Sequence, residues 1–205
     1  KIPPSLKKGD TVAIAATARK ISKEIIESSV EILKNWGLKV VFAPNLFKEE
    51  NQFAGSDKER AAGFQWALDN IEVKAIILAC GGYGTIRVID ELNFKKFVKN
   101  PKWIVGYSDT TIIQSHLVNL EVASIHGTMA FQFTKHEEAT ESLRKVLFGE
   151  KQEYEIPIAI GTNKLNRIGE AKAEVVGGNL SLLYALSGSH SDIDTKGKIL
   201  FLEDL

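Results

Sequence analysis

The chain has 205 residues, 44% hydrophobic and 25% charged, enough for one large domain or one and a half around a buried core. Its 26 Lys and Arg balance 26 Asp and Glu, so no charge excess points to nucleic acid or to a membrane surface. One cysteine, Cys80, leaves no intramolecular disulfide and no Cys-rich metal site, and a reducing, cytoplasmic setting is the natural reading.

In chain order, the opening KIPPSLKKGD is polar and proline-bearing, without the apolar stretch of a secretory signal, and no later apolar run approaches a membrane span. TVAIAAT (11–17) reads as a buried strand. Ile26, Val30 and Leu33 share one face of a helix that Gly37 ends, and KVVFA (39–43) is a second strand. Ser56 with Glu59 forms a capping box that opens a helix running to about Leu68. AIILAC (75–80), WIVG (103–106) and the shorter VASIH (122–126) are three more strands, and Glu137 to Phe148 is helical. Strands alternating with helices imply βαβ units and a mostly parallel sheet over residues 1–150, an α/β class.

The character changes after Gly149. Residues 151–175 mix possible extended pieces with no clear helix and are assigned as a linker. A second unit begins at 176, where a glycine pair precedes the apolar helical run of GGNLSLLYALSG (177–188). KGKILFLEDL (196–205) is a strand with no polar cap behind it, so a further segment is expected to follow Leu205.

In a parallel α/β sheet, ligands gather at the C-terminal ends of the strands. Two corners there can carry chemistry: CGGYG (80–84) after the third strand and GYSD (106–109) after the fourth. Glycines after a strand free backbone N–H groups to meet a phosphate, a carboxylate or a developing oxyanion. CGGYG is neither a dinucleotide fingerprint nor a P-loop, because its spacing differs and no Gly-Lys-Ser/Thr follows. Ser108 partly matches the nucleophile elbow G-x-S-x-G, with Thr110 at the second glycine. Two readings stand for this corner: Ser108 presents a hydroxyl for attack, or Ser108 or Asp109 simply caps the next helix. His116 falls within that helix, His136 and His190 in polar surroundings, and His126 at a strand end on the same sheet edge as Ser108. His126 is either a base or a strand-end side chain satisfied by backbone. Cys80 reads as a structural thiol. Glu203 and Asp204 end the last strand, where a carboxylate is solvated unless something orients it.

Taken together, IPPSLKKGDTVAIAA, FAGSDKER (53–60), LACGGYG (78–84), IVGYSDTT (104–111), HGTM (126–129), VGGNLSLL (176–183) and ILFLED (199–204) resemble the LD-carboxypeptidases. That family of serine peptidases includes the microcin C self-immunity enzymes. The resemblance spans essentially the whole chain, with the motifs in the same order. It implies a class I amidotransferase-like α/β domain followed by a C-terminal β-rich domain, here incomplete. It also implies a Ser-His-Glu triad, in which Ser108 matches the nucleophile and Glu203 the glutamate. Backbone N–H groups of Gly82 and Asp109 are assigned to the oxyanion hole, and Tyr83 and Asn179 to the cleft. The family histidine lies downstream of the LED motif, and no histidine of this chain occupies that position. A basic residue is expected before the glycine pair, where this chain has Cys80.

The implied activity is hydrolysis of the L,D-amide bond to a terminal D-amino acid in a muropeptide, without metal or cofactor. The enzyme would be cytoplasmic and homodimeric, with no nucleic-acid or membrane partner. Two other readings are kept: a catalytically incomplete ligand-binding protein that lacks its base, and a peptide–nucleotide hydrolase conferring toxin immunity.

Overall fold

The computed structural model of the chain describes residues 1–154, 166–167 and 169–204. Residues 155–165 and 168 of the linker expected over 151–175 therefore lie outside the described residues. Five strands form one sheet: β1 (Thr11–Ala15), β2 (Lys39–Phe42), β3 (Val73–Leu78), β4 (Trp103–Gly106) and β5 (Ile125–His126). Their order is β2-β1-β3-β4-β5 and every pairing is parallel. The chain steps from β1 to one side for β2 and returns to the other side for β3. That reversal opens a crevice between the β1 and β3 ends, where a doubly wound sheet takes its ligands.

The strands read as near-continuous apolar runs because both faces of the sheet are covered. Val12, Ile14, Ala75, Ile77 and Val105 point to one face, where they pack with Ile26 and Leu33 of α1 (Lys23–Asn35) and Leu143 and Leu147 of α5 (Glu137–Leu147). The alternate residues Ala13, Ala15, Ile76, Leu78 and Ile104 face the other way. They meet Phe64 and Leu68 of α2 (Asp57–Asp69), Phe97 of α3 (Lys95–Lys99) and Ile113 and Leu117 of α4 (Thr111–Asn119).

The expected helix boundaries are closely matched. Ser56 and Glu59 form both halves of the capping box, with the Ser56 side chain accepting from Glu59 N and the Glu59 carboxylate from Ser56 N. The expected strand over 122–126 is confined to Ile125 and His126. The glycine pair at 177–178 lies within β6 (Val175–Asn179), ahead of α6 (Leu180–Ala185). β6 pairs in parallel with β7 (Ile199–Glu203), making a separate two-stranded sheet. Among the described residues no helix is long and apolar enough to cross a membrane.

One helix glycine is there for space. A Cβ at Gly63 in α2 would lie 1.9 Å from Asn45 Oδ1. Asn45 is buried and donates to the Ala16 and Ala54 carbonyls, so it is tied in place. Gly63→Ala gains up to about 1 kcal/mol of helix propensity. Overpacking of about 1–3 kcal/mol outweighs that gain. The variant is expected to unfold at a lower urea concentration than the parent; an unchanged or higher midpoint would show that Asn45 can yield.

Candidate active site

β4 ends at Gly106, and the chain then turns through a single 3₁₀ turn, Ser108–Thr110, into α4. Ser108 sits at φ +56°, the left-handed region that costs a non-glycine residue roughly 1–2 kcal/mol. Neither Ser108 nor Asp109 caps α4: the N-cap residue is Thr110, and it makes no side-chain capping bond. The capping alternative is thereby removed, and the hydroxyl of Ser108 forms no hydrogen bond among the described residues. Thr110, at the second glycine position of the elbow pattern, fits because the first is kept. A Cβ on Gly106 would stand 2.5 Å from Thr110 Oγ1.

The second corner is pressed against the first. A Cβ at Gly81 would lie 3.2 Å from both Cβ and Oγ of Ser108. Gly82 has φ +113° and carries the stem of Arg19 across its Cα, where a Cβ would come within 2.2 Å of Arg19 Cδ. The corners are joined by a side chain as well. Asp109 is buried, and its Oδ2 accepts the Thr85 N–H at 2.9 Å, just past the GGYG turn. Thr85 in turn shares a 2.6 Å hydroxyl hydrogen bond with Thr17, in the loop after β1. Three strand ends are thus linked through one carboxylate. Burial raises the pKa of Asp109, with the Thr85 and Gly84 contacts opposing.

The second unit docks at the same edge. Thr111, at the start of α4, accepts the backbone N–H of Asn179 at 3.1 Å and packs on Gly178. Asn179 is the strand partner of Glu203, so the β6–β7 pair carries Glu203 to the elbow. One Glu203 oxygen, Oε1, is buried and accepts no hydrogen bond from the described residues. The Asn179 side chain caps α6 through Leu182 N and donates to Asp204 Oδ1, while Asp204 Oδ2 takes the Ser181 N–H and hydroxyl. Asp204 therefore braces the turn after Asn179.

Of the four histidines, His126 lies nearest this arrangement. Its strand partner is Gly106, and its ring meets Phe201 edge-on at 5.3 Å and Tyr107 at 6.1 Å. Partial burial lowers its pKa, with the charge of Glu203 opposing. His116 is turned away, bonding Ser191 Oγ through Nδ1 and packing on Phe94. Burial pushes the Cys80 thiol up to about 11, so it is protonated at neutral pH and serves as a donor to the Arg19 carbonyl. Tyr83 is half exposed beside Phe53 at the same corner. Among the described residues no cluster of three His, Cys, Asp or Glu side chains could hold a metal.

A family model described as the LD-carboxypeptidase N-terminal domain matches residues 12–127, and one for the LD-carboxypeptidase C-terminal domain matches 172–205. The chain belongs to the LD-carboxypeptidase family. A probable murein peptide carboxypeptidase of Bacillus subtilis is 35% identical over 99% of this chain and 65% of its own length. The microcin C7 self-immunity protein of Escherichia coli is 27% identical over 96% of the chain and 67% of its own. The chain thus spans about two thirds of the length of these relatives. A solved structure of the self-immunity protein with glutamyl sulfamoyl guanosine superimposes with TM-score 0.84 at 25% identity, covering 98% of this chain and 70% of that one. A muramoyltetrapeptide carboxypeptidase from Oxalobacter formigenes gives 0.79 at 25% identity, over 95% and 65%. The two LD-carboxypeptidase domain matches coincide with the five-stranded sheet and the β6–β7 unit.

Two contacts that hold the candidate site together carry no local sequence signal. The Asp109–Thr85 and Thr111–Asn179 bonds join residues 24 and 68 positions apart, so no local pattern could announce them. The Asp109 contact gives a pH prediction. Burial favours its neutral form, so the folded-state pKa exceeds the unfolded one. The stability it contributes is greatest at low pH and is lost as pH rises from the ordinary carboxylate range through the raised value. Asp109→Asn should flatten that part of the stability–pH curve, read from urea midpoints between pH 4 and 8. A slope identical to the parent's would show that Asp109 is not the group responsible.

Proposed function

We propose that this protein is a serine carboxypeptidase that cleaves the L,D-amide bond to a terminal D-amino acid in a muropeptide. The observation that carries the reading is Ser108: a left-handed serine on a strand-to-helix corner, with its hydroxyl uncommitted and glycine backbone against it. Names of relatives as murein peptide and muramoyltetrapeptide carboxypeptidases support the substrate class.

In this mechanism Ser108 Oγ attacks the amide carbonyl carbon while its proton passes to a histidine, which the family pattern places downstream of Glu203. The carbonyl oxygen becomes an oxyanion held by the N–H groups of Gly82 and Asp109, each worth roughly 10²–10³ in rate. The protonated histidine then gives its proton to the departing amine, leaving an acyl-Ser108 ester that water hydrolyses. Glu203 orients the imidazole and stabilises its charged form. Its buried, unbonded Oε1 is the acceptor such a role requires. Tyr83 and Asn179 border the cleft. The working form is a cytoplasmic homodimer.

The likeness to structures of the self-immunity protein favours a second reading, hydrolysis of an acylated sulfamoyl or phosphoryl nucleoside. The two readings share the nucleophile and differ in the leaving group, so turnover of a murein tetrapeptide against an aminoacyl sulfamoyl nucleoside separates them.

Ser108→Ala in the full-length gene product should abolish release of D-alanine from the tetrapeptide with an unchanged unfolding midpoint; surviving activity would remove Ser108 as nucleophile. Glu203→Gln should lower kcat by roughly 10³–10⁴ with little change in KM, by analogy with orienting-acid substitutions in other triads. A parental kcat in that variant would exclude Glu203 from the triad.

A further inference from the structure

The segment Ala18–Lys20, after β1, is pinned from two sides. Arg19 forms an antiparallel bridge with Phe53, flanked by Ala54 N donating to Ala18 O and Lys20 N to Gln52 O. On the other side the Cys80 thiol donates to Arg19 O at 3.4 Å. The Arg19 backbone is therefore fixed, and its stem is directed over Gly82, whose neighbour Gly81 abuts Ser108. Its positive charge is felt at the Cys80 thiol, at the foot of the same corner.

The neighbouring cations are committed. Lys20 pairs with Glu49 at 2.7 Å, and Arg60 and Arg87 share Asp57 at 2.5 and 2.8 Å. The nearby Asp109 carboxylate is buried and bonded to Thr85. Arg19 is exposed, and among the described residues it pairs with no carboxylate. An exposed arginine with a fixed backbone and no counter-charge among the described residues, its stem over the glycine corner that abuts Ser108, suits a bidentate anion carried by the ligand.

We propose that Arg19 anchors the free terminal carboxylate of the peptide whose last amide bond Ser108 attacks. The proposal rests on the peptidase reading above and deepens it. Gly82 gives the Arg19 stem its path, because any side chain there would occupy the same space. The carboxylate of the terminal residue lies only a few bonds from the scissile carbonyl, so one corner can hold the carboxylate and receive the oxyanion. This contact selects exopeptidase cleavage: a chain that continues past the scissile bond offers no carboxylate to Arg19.

The test compares a murein tetrapeptide ending in D-alanine with the same peptide capped as its C-terminal amide. Binding is measured by calorimetry in the Ser108→Ala background and turnover in the parent. The acid is expected to bind about 10- to 100-fold tighter than the amide, the size of one charge-assisted pair. Arg19→Gln should erase that preference through the acid alone, and Arg19→Lys should restore part of it. In turnover the loss should appear mainly in KM. Equal affinity for acid and amide in the parent, or a preference that survives Arg19→Gln, overturns the proposal. So does failure to bind either peptide, or binding of AMP that is lost with Arg19 when no acid preference exists, which would assign the residue to phosphate. If the acid preference depends on Arg19 but no D-alanine is released by the parent, the anchor stands and the peptidase reading falls.

Discussion

The C-terminal edge of the sheet depends on one constrained residue. Ser108 is held in a left-handed conformation that is unfavourable for a serine. The strain is sustained because the residues around it are independently fixed. Gly106 ends the buried interior strand β4, Asp109 is tied across to Thr85, and Thr111 is tied to the backbone of Asn179. Such a conformation persists only where its surroundings over-determine it, and its consequence here is a hydroxyl that projects rather than caps.

Asp109 shows how a buried carboxyl group can be a structural element first. Placing a carboxylate in the core is costly unless it is paired; here Oδ2 takes a backbone N–H on the adjacent strand's loop while Oδ1 is buried without a partner among the described residues, and burial raises the pKa. That choice holds the glycine corner against the serine corner without filling the space between them. The thinness of the corner follows from the same demand. Gly81 and Gly82 allow Ser108 on one side and the Arg19 stem on the other to approach the backbone closely.

The second unit adds little core of its own. β6 and β7 pair with each other and expose Leu200, Phe201 and Leu202 in part. What they contribute is position: the Thr111–Asn179 bond and the Phe201–His126 contact set the β6–β7 pair against the elbow, and register then fixes Glu203 beside Asn179. A one-residue slip of that register would turn the Glu203 side chain to the opposite face.

The order of strands and helices, the capping box at Ser56 and the two glycine-rich corners were legible in the sequence, because each rests on local periodicity or turn chemistry. The GYSD and LED motifs and their order likewise pointed to the LD-carboxypeptidases, and the family matches bear that out. Tertiary structure alone decided that neither Ser108 nor Asp109 caps α4. A serine after a strand looks the same to local rules whether it caps a helix or presents its hydroxyl, and the difference lies in a backbone angle imposed by distant neighbours. The same holds for Asp109 on Thr85, Arg19 over Gly82 and Glu203 beside Asn179. These contacts join segments far apart in the chain, and they arise only when the parallel sheet brings the strand ends to one edge.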